Sequence, residues 1–159
     1  MLDTLKFEDE GLEQLAEMFF NCPDDATFRS ELLDASLLDY SLESLSTVDE
    51  YLERLRDCPP NGNDRIKCIV RAGAYIGEVI RRALPTRDTH WVAYSEAVKI
   101  DASFSRMGEQ IGNYYSLYHG GKSFCFPLAK VEKRIVDGSE NNVLSFARVI
   151  IDLRKTKKL

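Results

Sequence analysis

Few residues of this 159-residue chain have types and spacing that suit chemistry, and most of those lie between Asp64 and Leu84. Glu78 is the only acid between Asp64 and Asp88, and on a helical wheel it shares a narrow polar arc with Lys67, Arg71, Arg81 and Arg82. Two readings fit that arrangement. Glu78 and Arg82 are four apart, in the favourable order for an intrahelical ion pair, which is worth about 0.3–0.5 kcal/mol when exposed. Alternatively, Arg71, Arg81 and Arg82 surround a phosphate or carboxylate ligand and Glu78 orients them, because guanidinium forks pair bidentately with such anions. These four residues are the ligand-binding candidates.

The remaining chemistry-bearing residues give weaker patterns. His90 and His119 are the only histidines, and neither has a second histidine at ligand spacing. Cys22, Cys58, Cys68 and Cys125 form no CxxC pair, so no metal site and no cofactor is expected. Cys–His catalysis would need Cys68 or Cys125 to meet a histidine in space, which spacing neither favours nor excludes. The glycine-rich phosphate loops and the GxSxG elbow are missing from the sequence, and no residue is assigned a catalytic role. Tyr114, Tyr115 and Tyr118 are candidates for partner binding, provided the outer face of their hairpin is open.

Those residues need a scaffold, and hydrophobic periodicity supplies one. Residues 8–20 carry Leu12, Leu15, Ala16, Phe19 and Phe20 at helical spacing. A short helix is expected over 27–38. Another follows with Leu45, Val48, Leu52 and Leu55 on one stripe, capped by Ser41 or Ser46, the latter forming a weak capping box with Asp49. Residues 64–84 bear apolar side chains, from Ile66 to Leu84, over about 200° of the wheel, twice the width of an ordinary surface stripe. This helix should be central, with Gly73 and Gly77 marking close approach of another backbone or of a ligand. Residues 90–94 and 97–100 read as strands. The aromatic runs around Gly120-Gly121 read as a hairpin over about 112–126. Pro127 opens a short helix that Gly138 closes, and Ser139 caps a last one. The expected fold is α+β: helices around a central buried helix, with a small antiparallel sheet.

Length suggests one domain, divided into an acidic helical N-terminal extension (1–34), a main body (35–153) and a basic tail (154–159). Residues 1–60 hold sixteen acids against four bases, and residues 61–159 hold ten against seventeen. Either an acidic layer lies against a basic remainder, or an acidic surface awaits a basic protein partner. The basic tail is too short to argue for nucleic acid. No apolar run approaches a membrane span, and the N-terminus is acidic where a signal peptide would be basic. A cytoplasmic protein with reduced thiols is therefore expected.

Three segments together carry a resemblance. They are Asp39-Tyr40-Ser41 through Asp49, Gly73-Ala74-Tyr75-Ile76-Gly77-Glu78 through Arg82, and Pro127 through Lys133 followed by Ser145-Phe146. Their order resembles a family of small bacterial cytosolic domains of unknown function with DYSxxSL, GAYxGE and late PxxKVxKR blocks. The resemblance covers roughly residues 35–150; it implies a bacterial cytosolic domain and transfers no catalytic residue. The function expected is a non-catalytic protein-binding module, such as a toxin-neutralising immunity protein. The alternatives are a structural or homodimerisation domain, or a small-ligand or enzymatic domain centred on Glu78.

Overall fold

The computed structural model describes residues 5–85 and 88–156. Its axis is α3 (Gly62–Ala83), which starts at Gly62 with φ +55° just after Pro59-Pro60. From Arg71 to Arg81 every residue of α3 is buried, so the enclosure goes beyond the expected apolar arc and takes in Arg71, Glu78 and Arg81. Only the ends emerge: Ile66, expected inside, is 42% exposed, and Ala83 is open too.

The two helix glycines set how closely other elements approach α3. A Cβ on Gly77 would lie 2.1 Å from Trp91 Cζ2, and one on Gly73 would lie 2.9 Å from the Cα of Leu128. The close approach inferred from these glycines is therefore to the chain itself. α1 (Asp9–Phe20) packs along α3 and buries Leu12, Ala16 and Phe19 in the same cluster as Ile69, Tyr75 and Ile76. Residues 9–20 are thus built into the body rather than appended to it. α6 (Pro127–Asp137) and α7 (Val143–Thr156) pack on α3, and α2 (Leu45–Leu55) packs on both of them. Of the expected basic tail, residues 154–156 belong to α7, while 157–159 fall outside the described residues.

The sheet is antiparallel, in the order β1 (His90–Ala93), β2 (Tyr115–Tyr118), β3 (Phe124–Cys125). Trp91 pairs with Leu117, and Leu117 with Cys125. Side chains alternate between two cores. Trp91, Leu117 and Cys125 enter the main cluster, while Val92, Tyr118 and Phe124 join a smaller one with Ala97 and Phe104. The hairpin turns where expected, through Gly120 (φ +97°) and Gly121 (φ +58°). The fold is α+β.

Three local expectations fail for identifiable reasons. Residues 97–100 lie in α4 (Tyr94–Ile100), followed by α5 (Phe104–Met107). A short β-branched run is ambiguous by pattern, and as a helix it buries Ala97 while Glu96 accepts the Lys6 N–H at 3.1 Å. The stretch 27–38 holds 3-10 turns rather than a helix, because Arg29 sits at φ +51° and the Asp34 carboxylate takes the Ser36 N–H at 3.2 Å. α7 starts four residues past Ser139, with Asn142 Oδ1 accepting the Ser145 N–H at 2.8 Å.

Gly77→Ala should therefore destabilise by about 2 kcal/mol, because the overpacking against Trp91 exceeds the gain in helix propensity. Gly11→Ala, on α1 with nothing within 4 Å of its Cβ, should instead stabilise by about 0.5–1 kcal/mol. Urea unfolding of both variants checks the contrast.

Candidate functional site

Glu78 is 1% exposed and its carboxylate is a junction. Trp91 crosses Gly77 and donates its indole N–H to Glu78 Oε2 at 2.8 Å, and Arg81 Nη1 donates to the same oxygen at 2.9 Å. Arg82 Nε lies 3.6 Å from Oε1. Arg81 continues outward to Glu13 (3.3 Å) and Asp9 (3.4 Å), and its Nε donates to the Thr89 carbonyl at 3.2 Å. Asp9 accepts the Trp91 backbone N–H at 2.6 Å and sits 2.7 Å from His90 Nδ1. One network thus ties α1, α3 and β1 together.

Arg71 does not join it. Glu78 and Arg71 share a wheel position but stand about 10 Å apart along the helix axis, and different segments cover the two heights. Arg71 donates to the Asp25 carbonyl (2.7 Å), the Asp25 carboxylate (3.1 Å) and Thr27 Oγ1 (3.2 Å). Lys67 pairs with the same carboxylate at 2.5 Å, and that hydrogen bond is the chief reason Asp25 titrates below its ordinary value. The expected cluster of Glu78 with Arg71, Arg81 and Arg82 is therefore split into two ion-pair sites. Arg82 keeps an outward position, its guanidinium 3.6 Å over the Tyr40 ring.

The tyrosines of the hairpin also turn inward. Tyr118 is buried with its hydroxyl donating to the Gly121 carbonyl at 2.9 Å, and Tyr114 and Tyr115 are half-buried against the main cluster. Because the sheet is covered on both sides, no open tyrosine face forms at 114–118.

Three further features are decided by the tertiary structure, one of them a Cys–His meeting that spacing left open. Asp49, assigned to a capping box with Ser46, points instead to α7: Oδ1 accepts the Val143 N–H at 2.8 Å and Oδ2 the Leu144 N–H at 3.1 Å. Arg134 locks it, with Nε donating to Asp49 Oδ1 at 3.0 Å and Nη1 to Glu53 at 2.7 Å. A sign was there to read, since Asp49 is an acid on the apolar face of its helix, four residues after Leu45. The second is a Cys–His contact, with His119 Nε2 3.4 Å from Cys125 Sγ and Nδ1 3.3 Å from Thr89 Oγ1. Burial, with the Arg154 charge adding to it, pushes the imidazole down to about 4. Burial pushes the thiol up to about 12. Both groups are neutral near pH 7, the reverse of the thiolate–imidazolium pair that Cys–His catalysis uses.

The third is a surface. A groove of about 580 Å³ runs between β3, α6, α7 and residues 107–113, lined by Phe124, Phe126, Phe146 and Ile150 with Lys130 and Lys133 beside them. Beyond it, Val149 and Leu153 of α7 are 55% and 51% exposed. The signal lay in the width of the apolar arc of residues 143–153, which is too broad for one buried face.

No protein-family profile matches the chain, and comparison with curated proteins and with solved structures finds no match. Among the described residues, no group of three or more His, Cys, Asp or Glu side chains could hold a metal ion. No helix among them is long and apolar enough to cross a membrane.

Two measurements probe these junctions. Asp49→Asn should cost about 2–3 kcal/mol by leaving buried Arg134 with only the half-exposed Glu53 carboxylate as charge partner, and hydrogen exchange should show faster opening at the Val143 and Leu144 amides. For His119, the folded imidazole titrates near 4 and the unfolded one near 6.5. Between those values the unfolded chain binds more protons. The contribution is therefore complete above about pH 6.5 and falls by about 3 kcal/mol as pH drops toward 4. His119→Gln should flatten that part of the stability–pH curve in urea unfolding.

Proposed function

We propose that this chain is a non-catalytic protein-binding module of the cytoplasm that works by occupying a partner's surface. A toxin-neutralising immunity protein is one example of the class, and the resemblance to small bacterial cytosolic domains agrees with it. The observation that carries this reading is the outer face of α7. Val143, Ala147 and Ile151 anchor the helix in the core, while Phe146, Val149, Ile150 and Leu153 form a second stripe with its two outer members open to water. A stripe at three- and four-residue spacing that stays uncovered marks an interaction face more often than a scattered apolar residue does.

Charge argues less for a basic partner than the composition suggests. Asp9, Glu13, Asp25, Asp49 and Glu53 of the acidic third pair with Arg81, His90, Lys67, Arg71 and Arg134 of the remainder. These five of the sixteen acids are internal stitching, as in the reading that lays an acidic layer on a basic body. A ligand at Glu78 would have to displace the Trp91 indole or Arg81 from a carboxylate that is 1% exposed, which makes that alternative the weaker one.

Pull-down from the native host at low and high salt tests the reading. A specific partner should be recovered by the wild type and lost by Val149→Asp, whose exposed position leaves the fold intact. Recovery of no specific partner at either salt would end the proposal.

A further inference from the structure

The open stripe of α7 does not stop at the helix surface. Phe146 and Ile150 belong both to that stripe and to the groove under β3, so groove and stripe form one apolar surface. The stripe spans two helical turns, about 10 Å, and its spacing of i, i+3, i+4 and i+7 is that of a face prepared for another helix.

The unpaired charge lining the groove is positive. Lys130 and Lys133 are three apart on α6, and among the described residues neither pairs with a carboxylate. The Lys130 ammonium donates to Asn141 Oδ1 at 3.1 Å and lies 5.6 Å from the centre of the Phe146 ring. Burial, together with the charge of Lys133, holds Lys130 below the ordinary lysine value. Among the described residues Glu132 is the one carboxylate lining the groove, and Arg65 holds it in an ion pair.

We propose that this surface docks an acidic amphipathic helix of a partner protein. Its apolar side chains enter the groove and cover Val149 and Leu153, and its carboxylates meet Lys130 and Lys133. The proposal rests on the protein-binding reading above and adds the place and the chemistry of the contact. A second copy fits less well, because a two-fold contact presents the same patch from both sides and, among the described residues, the groove lining offers no unpaired carboxylate to the lysines. A small anion would satisfy the lysines but leave Val149 and Leu153 in water.

Display of random peptides of about 16 residues, enough for about 24 Å of helix, against the full chain tests this. Enriched peptides should carry apolar residues at three- and four-residue spacing with Asp or Glu beside them. A synthesised winner should bind at least about tenfold more weakly to Leu153→Asp and to the double variant Lys130→Glu/Lys133→Glu. Binding should also weaken between about 50 and 500 mM salt, and circular dichroism should match the wild type for both variants. Enrichment of basic or unpatterned peptides, no enrichment, or undiminished binding by the variants would overturn the proposal. So would concentration-dependent dimerisation abolished by Leu153→Asp, or laurate binding in the groove without any peptide binding. If the host partner stays bound to these variants but is lost by Glu43→Lys/Glu50→Lys, the docking site falls while the protein-binding reading stands. Absence of any partner ends both.

Discussion

A tryptophan laid across a glycine holds this molecule together. Trp91 can reach the Glu78 carboxylate only because residue 77 has no side chain, and the resulting hydrogen bond at 2.8 Å joins the first strand to the central helix. Arg81 then balances the buried charge and extends it to the first helix through Asp9 and Glu13. A carboxylate taken out of water is stable only when paired and hydrogen-bonded, so these groups must form together. The same buried network that looks like a ligand site in the sequence is what keeps three elements in register.

The three sequence blocks around Tyr40, Tyr75 and Leu128 have a related role. Tyr75 of the central helix receives the Tyr40 backbone N–H at 3.0 Å and lies 2.7 Å from Ser44 Oγ, which connects the first two blocks. That contact accommodates Tyr40 in a left-handed conformation, with φ +66°. Gly73 meets Leu128 of the third block, and Arg134, the arginine that ends its PxxKVxKR motif, closes on Asp49 at the end of the first. The block residues therefore mark mutual contacts between helices.

With the central polar groups used internally, the open apolar stripe lies on the last helix. The last helix is pinned at its start by the Asp49 carboxylate and near its end by Arg154, which donates to Ser123 Oγ at 2.9 Å and to the His119 carbonyl at 3.1 Å. Held at both ends, it presents its second apolar stripe on a rigid support, and rigid presentation limits the ordering cost of binding.

The helix periods, the central buried helix, the glycine-glycine hairpin and the α+β class were all legible in the order of residues, because each depends on spacing within one element. Residues 97–100 and 27–38 were misread where short runs lack a decisive period and neighbours choose the conformation. The fate of Glu78, Arg71 and Asp49 was decided only by the tertiary structure. A helical wheel reports angle but not height along the axis, so it grouped Arg71 with Glu78, although different segments cover the two levels. Nor can it show which side of a doubly apolar helix other elements will cover. That depends on how many elements there are to pack, and here they leave Val149 and Leu153 uncovered.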